Sequence, residues 1–563
     1  MESQQSSSRT TFDIIPLGGL GEIGMNLMVY GYAGKFLIVD CGLTFPNDDT
    51  PGVDIIIPDV RFLEENRDHI VGFVLTHGHE DHIGAMPHIW PNLEGPIYGS
   101  AMTLALLKGK FKEHCILGRA NMVVMRNREK FQLGPFNVCP IQVTHSIVDA
   151  SALAITTPLG TIIHTGDFKI DHTPVDDRPT DLHTLAQYGE KGVLALLSDS
   201  TNVTRNGATI SEKEITPVFE KIFPKTKGLL VVASFSSNIQ RVQQIITVAA
   251  DVGRKVILNG RSMINNVQAA RELGYLDIPP DTLIDIKQFD NYPRNKLVLI
   301  STGSQGEPNS SLVRIAAGDH KEVTIKSGDV VVFSSKFIPG NERTIWSLIN
   351  MLFRSGAEVI HEKNVPEIHV SGHAPQEDLK LMLALTRPEF FVPIHGEPRH
   401  LHRHRRLAIK MGVAEEKALV IENGDWAVLD GKSIQVIDKV HTGRVFVDGK
   451  GVGDIGDIVL RDRIHLSEDG MVIVVIIVDK ASGKVIQRPE LLTRGVVYED
   501  ESQELLEEAK SAVEQALELG PIALDFSEED SAGVREISQR ALRRFFKKRL
   551  GRRPIVIPLV MEM

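Results

Sequence analysis

The chain has 563 residues, of which 42% are hydrophobic and 24% are charged, and both values are ordinary for a folded globular protein and argue against wholesale disorder. The net charge of −11, from 62 basic and 73 acidic residues, argues against a generic basic protein that coats nucleic acid, although a metal site and a local basic groove would still allow a nuclease. The longest apolar run, Met471 to Val478, has eight residues, far below the roughly 20 needed to span a bilayer.

The first segment, residues 1–11, is polar and has no hydrophobic region of the kind found in secretory signals. It predicts a disordered tail. The three cysteines, Cys41, Cys115 and Cys139, are too few for a disulfide framework and do not have zinc-finger spacing. We therefore expect a reducing, cytoplasmic setting and no membrane partner.

From Phe12 to about Thr165 the pattern is one of short apolar, often β-branched runs separated by Gly, Asn or Asp. Runs of this kind predict strands, and a helical stretch lies between them at Ala101 to Glu113. The predicted strands include FDIIPL (12–17), MNLMVY (25–30), KFLIVDCG (35–42), VGFVLTH (71–77), NVCPIQVTH (137–145) and GTIIHTGD (160–167).

Between about 208 and 365 strands and helices alternate, with an amphipathic stretch from Asn238 to Val252 and a helix around Arg343 to Arg354. This rhythm predicts an α/β domain with a parallel sheet. Strand-like runs then return as EIHVSGHA (367–374) and FFVPIHGE (390–397).

A Gly- and Asp-rich stretch around 440–462 suggests a junction, and strands, a helix from Ser502 to Leu519, a basic amphipathic helix and a final strand follow it. In the basic stretch 540–553, four apolar residues at helical spacing predict a packing face within the C-terminal domain or between subunits, with RNA contact as the alternative: Leu542, Phe545, Phe546 and Leu550. The basic stretch 399–410 has two equally favoured interpretations: it lines an RNA channel, or it is a solvated helix face.

The strongest motif is His77-Gly-His79-Glu-Asp81-His82, directly after the apolar run VGFVLT. In extended backbone His77 and His79 point to the same side and can bind one cation together. Asp81 and His82 come a turn later and can face a second cation. Four candidate ligands within six residues favour a metal site over a chance surface cluster.

Three further metal-ligand types stand where hydrophobic runs stop: His145, Asp167 and His395. Each one alone would more often be a turn or cap residue, but together they predict loops that converge on one edge of a sheet. Seven ligands without thiolate suit two Zn²⁺ ions, with Mn²⁺ or Mg²⁺ as alternatives. Such a pair lowers the pKa of bound water to about 7 and neutralises phosphoryl charge, which favours hydrolysis of anionic substrates.

With these residues the chain resembles the metallo-β-lactamase superfamily, and further motifs narrow the resemblance to the β-CASP nucleases of the ribonuclease J family. The motif HVSGHA followed by PIHGE is much more specific than the histidine cluster. The supporting motifs cover nearly the whole chain: LGGLGEIGMN (17–26), LLSDSTN (196–202), GRSM (260–263), STGSQGEP (301–308), IPGNE (338–342), HVSGHA (369–374), PIHGEPRH (393–400) and GDIVLRDR (456–463).

The resemblance implies an α/β fold: a metallo-β-lactamase αββα sandwich with an inserted α/β β-CASP domain and a small α+β C-terminal domain. The expected boundaries are 12–207 and 366–447 for the two parts of the sandwich, 208–365 for the insertion, and 448–563 for a linker and the C-terminal domain, which would serve assembly.

The resemblance also implies roles for the site residues. His77, His79 and His145 would hold one metal, and Asp81, His82 and His395 the other, with Asp167 bridging. His373 would contact the scissile phosphate and protonate the leaving oxygen, and Asp199 would orient it, so that Asp81, His373 and Asp199 are the candidate catalytic residues. The alternative for His373 is a buried histidine bonded to backbone.

Members of this family degrade single-stranded RNA from the 5′ end, prefer a 5′-monophosphate and also cut internally, in mRNA decay and rRNA maturation. The resemblance therefore implies a terminal phosphate pocket, whose hydroxyl, amide and imidazole groups can donate to phosphate. Phe45 could stack on a base, although a lone Phe is more often a core residue. The candidate pocket residues are Ser236, Ser237, Asn238, His369 and Ser371.

The glycines Gly19, Gly21 and Gly24 match the dinucleotide-binding fingerprint GxGxxG. The segment after them reads as two strands and a turn, so the helix that such a site needs is not predicted. We expect the glycines to allow a tight loop instead.

Two other functions remain as alternatives to a ribonuclease. One is a small-molecule metallo-hydrolase of the same superfamily, which the long insertion disfavours. The other is a non-catalytic scaffold subunit of an RNA-decay complex, which the complete ligand set disfavours. The expected partners are RNA, other copies of the chain in a homodimer or homotetramer, and other RNA-decay proteins.

Overall fold

The computed structural model describes residues 11–46, 49–338, 340–449, 451–453, 455–479, 484–498, 501–518 and 528–563. The predicted tail over residues 1–11 lies outside these residues, apart from Thr11. The chain divides into two compact units, one of Met1–Thr44 and Ile56–Val445, the other of Phe45–Ile55 and Phe446–Met563. Among the described residues, no helix is long and apolar enough to cross a membrane.

The elements up to Asp199 are, in chain order within each type, the strands β1 (Phe12–Gly18), β2 (Leu27–Tyr32), β3 (Lys35–Val39), β4 (Ile55–Pro58), β5 (Ile70–Val74), β6 (Ile97–Gly99), β7 (Met122–Val124), β8 (Phe131–Leu133), β9 (Phe136–Gln142), β10 (Ser151–Thr157), β11 (Gly160–His164) and β12 (Ala195–Asp199), and the helices α1 (Arg61–Glu65), α2 (Glu80–Ile83), α3 (Met86–Leu93), α4 (Ala101–Glu113) and α5 (Leu182–Lys191).

The next elements are the strands β13 (Leu230–Ala233), β14 (Lys255–Asn259), β15 (Leu283–Ile284), β16 (Leu297–Ser301), β17 (Val330–Phe333) and β18 (Glu358–Ile360), and the helices α6 (Thr216–Ile222), α7 (Ile239–Asp251), α8 (Arg261–Glu272), α9 (Ser311–Ala317) and α10 (Glu342–Arg354). They are followed by α11 (Gln376–Thr386), β19 (Phe390–Ile394), α12 (Pro398–Lys410), β20 (Asp425–Leu429) and β21 (Ile434–Lys439).

The remaining elements are the strands β22 (Arg444–Asp448), β23 (Gly451–Val452), β24 (Met471–Val478), β25 (Val485–Arg494) and β26 (Ile555–Glu562), and the helices α13 (Asp457–Asp469), α14 (Gln503–Glu518) and α15 (Glu528–Leu550).

Two packed sheets form the centre of the first unit. One has the order β21-β20-β1-β2-β3-β5-β6-β7 and the other β19-β12-β11-β10-β9-β8. Their facing side chains share one apolar core, to which Phe12 and Tyr30 contribute from the first sheet and Phe136 and Leu153 from the second. Because the strands alternate apolar residues toward this core, the two sheets bury each other.

Helices cover the outer faces of the two sheets. On the first sheet, Phe62 of α1 contacts Phe36 of β3 and Trp426 of β20 edge-on. On the second, Leu185 of α5 and Met382 of α11 pack with residues of its strands. The result is the four-layer αββα sandwich that the resemblance implies.

Parallel pairing brings the ends of several strands to one edge. Strand β11 pairs in parallel with β12, and β12 with β19, in a register that places Asp199 beside Ile394. In the other sheet, β3 pairs in parallel with β5. The segments that leave β11, β12 and β19 therefore start at the same edge, which is where ligands bind in sheets of this kind.

The segment between the two halves of the sandwich forms the predicted parallel sheet, with the order β15-β14-β16-β13-β17-β18. Helices α7 and α8 pack on one face, and α9 and α10 on the other. The carboxyl ends of β13 and β17 lead into Ser234 and Ser334 respectively.

In the second unit, the sheet β25-β24-β26 packs one face against helices α14 and α15. Leu542 and Phe546 of α15 are fully buried there, and Phe545 and Leu550 are partly buried beside them. The apolar stripe predicted in the basic helix is therefore a packing face within this unit.

Several predicted elements match the structure closely. The helix predicted at Ala101 to Glu113 is α4, and those predicted around 238–252 and 343–354 are α7 and α10. No helix follows the GGLGEIG loop; strand β2 does, as expected, and Gly19 has a φ of +87° that an L side chain rarely adopts. The helix α13 was not predicted, because its Gly- and Asp-rich surroundings read as a junction.

The strand predicted at EIHVSGHA is wrong. A short 3₁₀ turn, Pro366–Ile368, leads into irregular backbone through His373. The polar groups of this segment bond to side chains rather than to a neighbouring strand: Asn202 donates to Ser371 Oγ (2.8 Å) and to the His373 carbonyl (2.9 Å).

Candidate metal centre

The local backbone explains how the first motif presents its side chains. His77 and His79 follow β5 in the loop before α2, and His79, the residue that precedes α2, is still extended, with φ −73° and ψ 155°. The short helix α2 then turns Asp81 and His82 toward the same region. The two halves of the motif therefore lie in different clusters of candidate ligands.

The first group joins three imidazoles and one carboxylate. His79 Nδ1 lies 3.1 Å from both His77 Nε2 and His145 Nε2. Asp167 Oδ2 lies 3.8 Å from His77 Nε2 and 3.7 Å from His145 Nε2. These four residues come from three separate segments, and their ligand atoms lie within 4.8 Å of one another.

The second group shares Asp167 with the first. Asp167 Oδ2 lies 3.3 Å from His82 Nε2, and its Oδ1 lies 2.7 Å from His395 Nδ1. Asp81 Oδ2 lies 3.7 Å from His82 Nε2 and 3.6 Å from His395 Nε2. All seven residues predicted as metal ligands thus meet in one centre, around a common carboxylate.

The geometry of both groups fits divalent cations. Ligand atoms about 2.0–2.1 Å from a tetrahedral ion lie about 3.4 Å from one another, close to most separations found here. His395 Nε2 is buried and has no hydrogen-bond partner among the described residues. Buried polar atoms normally have a partner, and a bond to a metal ion would give this nitrogen one. Imidazoles and carboxylates without thiolate are the donor set of Zn²⁺ and Mn²⁺.

Neighbouring groups hold the imidazoles in place. Asp40 accepts a hydrogen bond from His82 Nδ1 (2.7 Å), and the Gly372 carbonyl accepts one from His145 Nδ1 (2.7 Å). Asp40 also accepts from the amide and hydroxyl of Thr76. Contacts of this kind fix the ring orientation and tautomer, so that Nε2 of both histidines faces the centre.

The electrostatics of the first group favour neutral imidazoles. Burial lowers the pKa of His77 and His145 well below the usual range and that of His79 to about 4. A neutral ring is the form that binds a metal. The three histidines are therefore ready to act as ligands at neutral pH.

The second group favours a positive charge. Burial opposes protonation of His395, but the Asp167 carboxylate outweighs it and raises the pKa of His395 to about 9. The same carboxylate raises the pKa of His82 against the effect of burial. Because the pocket stabilises positive charge, it is electrostatically suited to a cation.

His373 and Asp199 form a third group next to the other two. Asp199 Oδ2 accepts a hydrogen bond from His373 Nδ1 (2.8 Å), and Asp167 Oδ2 lies 3.9 Å from the same nitrogen. Burial disfavours the charged ring, but Asp199 and then Asp167 outweigh it and raise the pKa of His373. The His373 side chain is 22% exposed, so it is open to a substrate, and the backbone-bonded alternative does not describe it.

The candidate phosphate residues lie on two segments. Ser236 and Ser237 follow β13, and Asn238 caps α7 by accepting from the Arg241 amide (3.0 Å). His369 and Ser371 lie on the segment that ends at His373. The Nδ1 of His369 is buried and has no hydrogen-bond partner among the described residues, which makes it available to a ligand.

Phe45 is the residue predicted from the sequence to stack on a base. It belongs to the second unit, and 65% of its surface is exposed. The role of Phe45 in stacking stays a prediction.

The sequence interpretation missed two supporting residues. Asp40 ends the apolar run KFLIVD, and it had the same signal as Asp167 but was not singled out. Asn202, which holds the backbone of the His373 segment, stands inside the motif LLSDSTN. Its role had no local signal, because its partners lie 169 and 171 residues away.

Four family models match the chain. They are described as a beta-lactamase superfamily domain (residues 38–186), a Ribonuclease J beta-CASP domain (227–352), a Zn-dependent metallo-hydrolase RNA specificity domain (360–420) and a Ribonuclease J C-terminal domain (458–563). Together they span most of the chain.

Similar proteins cover nearly the full length. Ribonuclease J of Helicobacter pylori (strain ATCC 700392 / 26695) is 41% identical over 91% of this chain and 74% of its own. Ribonuclease J of Thermus thermophilus is 40% identical over 100% and 97%, and Ribonuclease J2 of Bacillus subtilis is 38% identical over 98% of each. A crystal structure of a protein of unknown function from Enterococcus faecalis V583 shares the fold, with a TM-score of 0.54 and 17% identity over 74% of this chain and all of its own.

Proposed function

This chain belongs to the ribonuclease J family and is a metal-dependent ribonuclease, and from that premise we propose that it degrades single-stranded RNA from the 5′ end, prefers a 5′-monophosphate, and also cuts internally. We place this activity in mRNA decay and rRNA maturation, in a cytoplasmic protein. The observation that carries the proposal is the single centre formed by seven metal-ligand side chains and the His373–Asp199 pair.

The two ligand groups support a pair of Zn²⁺ ions, with Mn²⁺ or Mg²⁺ as alternatives. His77, His79 and His145 would hold one ion and Asp81, His82 and His395 the other, with Asp167 shared. A bound ion pair supplies a nucleophile from water at neutral pH and offsets the negative charge of the scissile phosphate.

The chain's own residues supply orientation and proton transfer. Asp199 accepts from His373 Nδ1, so Nε2 is the ring nitrogen left to contact the scissile phosphate and to protonate the leaving oxygen. Asp199 also accepts from the Thr201 amide (2.9 Å) and hydroxyl (2.7 Å). These bonds hold the carboxylate still, so the ring it orients is held as well.

The preference for a 5′-phosphate would come from the residues around α7 and the His369 segment. Ser236, Ser237, Asn238, His369 and Ser371 supply hydroxyl, amide and imidazole groups, and donors of this kind recognise phosphate oxygens. For the assembled state we propose a homodimer or homotetramer in which the C-terminal domain takes part.

The test uses one RNA sequence with three different 5′ ends: monophosphate, triphosphate and hydroxyl. We expect mononucleotides to be released fastest from the monophosphorylated RNA, while cuts inside the chain depend little on the end. Equal rates of mononucleotide release from all three would contradict the phosphate pocket. Turnover of a chromogenic ester without any RNA cleavage would instead identify a small-molecule hydrolase.

A further inference from the structure

A buried three-residue ion bridge lies beneath the candidate phosphate pocket. Glu212 Oε1 lies 3.0 Å from Lys169 Nζ, and Glu212 Oε2 lies 2.6 Å from Arg241 Nη2. None of the three side chains is more than 1% exposed. Lys169 and Arg241 together lower the pKa of Glu212 to about 2 in spite of its burial, so the Glu212 carboxylate is charged at neutral pH.

Arg241 extends the bridge to the segment that carries His369. Its Nη1 donates to the carbonyls of Ser334 (3.1 Å) and Ile368 (3.3 Å) and contacts the Ser334 hydroxyl. The Ser334 hydroxyl in turn donates to the Ile368 carbonyl (2.8 Å). The guanidinium therefore holds the residue that directly precedes His369.

Each end of the bridge is close in sequence to a functional group. Lys169 stands two residues after Asp167, the shared carboxylate of the metal centre, and its backbone is held by Thr144, next to His145. Arg241 lies in the first turn of α7, three residues after Asn238. The bridge thus joins the metal centre to both segments of the phosphate pocket.

The physics of buried charge makes this link stiff. Removing one partner of a buried ion pair leaves an uncompensated charge and costs about 3–5 kcal/mol, so the three side chains keep their separations. A change of about 1 Å in the position of a substrate group can lower a rate about 100-fold. A nuclease that removes one nucleotide at a time depends on the distance from the bound 5′-phosphate to the scissile bond, so a small change in that distance should lower its rate.

We propose that Arg241 is a positioning residue that sets the phosphate pocket at a fixed distance from the metal centre, acting through the Lys169–Glu212–Arg241 bridge and the Ile368 carbonyl. The proposal rests on the proposed function, because it assumes that the pocket binds a 5′-phosphate. In this proposal Arg241 does not touch the substrate itself; it determines where the groups that touch it stand.

The test compares Arg241→Gln with the wild-type enzyme on two substrates. The first is RNA with a 5′-monophosphate or a 5′-triphosphate, for which the ratio of the two kcat/KM values is measured. The second is bis(p-nitrophenyl) phosphate, which reports on the metal centre alone. We expect the monophosphate preference to fall at least tenfold, through kcat, while hydrolysis of the small diester stays within about twofold.

Arg254→Gln is the matched control. Arg254 is also a buried arginine of the inserted domain, 5% exposed. Within the described part of the chain, its hydrogen-bond acceptors are backbone carbonyls. Two of them, Gly228 and Leu297, lie at the amino ends of β13 and β16, away from the carboxyl ends that lead to the phosphate pocket. Replacement of Arg254 should lower thermal stability and leave the monophosphate preference unchanged. An equal loss of monophosphate preference in both variants would show that the effect of Arg241→Gln comes from general destabilisation, and it would overturn the proposal.

Ser334→Ala and Arg241→Lys keep the proposal testable where Arg241→Gln does not fold. Each removes a bond to Ile368 and leaves a positive charge beside Glu212, so each should lose monophosphate preference and keep hydrolysis of the small diester. Unchanged preference in the folded variants would overturn the inference alone. A wild-type enzyme without any 5′ preference would refute the proposed function instead.

Discussion

At the scale of single residues, the metal centre depends on the two nitrogens of each imidazole ring having different partners. One ring nitrogen is held by a protein acceptor, as in His82 with Asp40 and His145 with Gly372, and the other is left for the centre. Gly372 illustrates how tight the arrangement is, because a Cβ at this position would lie 2.7 Å from the His145 ring. Residue 372 therefore has to be glycine for His145 to keep its position.

Replacing Asp81 or His82 by alanine should remove most ribonuclease activity and lower the bound metal. Both side chains face the same candidate ion, and loss of a ligand should exceed the roughly 10–100-fold loss of metal affinity seen when a supporting residue is removed. Metal content is measured by elemental analysis beside kcat/KM on RNA. Glu80→Ala is the control, since Glu80 is exposed and pairs with Lys110; full activity with unchanged metal in the Asp81 variant would contradict the assignment.

His373→Ala should separate turnover from metal binding. We expect kcat to fall about 10²–10⁴-fold, the usual contribution of a general acid, with the metal content of the wild type. His402→Ala, an exposed histidine on α12, should change neither. Complete loss of metal in the His373 variant would show that this residue is a ligand rather than a proton donor.

At the scale of elements, the site is made by strand ends and the core by strand faces. In β24 every second side chain is buried, and these residues meet α14 and α15. In β12 and β19 all side chains are buried, and the polar site residues stand at the strand ends: Asp199 is the last residue of β12, and His395 directly follows β19. Periodicity along the chain therefore identifies both packing faces and site residues.

Phe546→Ala should destabilise the second unit by about 3–5 kcal/mol, because it removes a fully buried ring from the helix–sheet core. Lys547→Ala, its exposed neighbour, should change stability by less than about 0.5 kcal/mol. Hydrogen exchange of β24 and β26 measures the effect locally. Equal protection in both variants would show that α15 does not stabilise this sheet.

At the scale of the whole molecule, the inserted domain meets the sandwich through apolar and polar contacts, and Met102 and Val148 of the sandwich pack into one of its two core clusters. Besides the Glu212 bridge, the Tyr275 hydroxyl donates to Asp149 (2.6 Å), and Arg178 stacks on the Tyr275 ring. Such polar contacts add geometric definition where the two domains meet. They also make the junction sensitive to pH.

Acid should weaken the first unit through Glu212. Its pKa falls from the ordinary 4.5 to about 2 on folding, so its contribution is fully present above about pH 4.5 and is lost as the pH falls toward 2. The shift corresponds to roughly 3 kcal/mol. Glu212→Gln should be less stable than the wild type at pH 7 and should lose less stability between pH 5 and pH 2; parallel pH profiles of thermal unfolding would refute this.

The sequence suggested candidate site residues where chemistry and periodicity coincide. Each of the seven ligand candidates either closes an apolar run or belongs to the compact motif after β5, so local reading was enough to propose them. The irregular backbone before His373 could not be predicted in this way. Its alternation favours a strand, but side chains far away in the chain hold the irregular path. Asn202 donates to Ser371 and to the His373 carbonyl, and His145 and Arg241 donate to the carbonyls of Gly372 and Ile368.

The sequence by itself indicated the candidate metal-ligand types, the parallel sheet of the insertion and the packing stripe of α15, because spacing and hydrophobic period are local properties of the chain. Only the tertiary structure decided that Asp40 holds His82 and that Glu212 joins Lys169 to Arg241. These relations connect residues 29 to 43 positions apart. Nothing in a linear pattern encodes them, since they exist only once the strands have paired and brought their ends together.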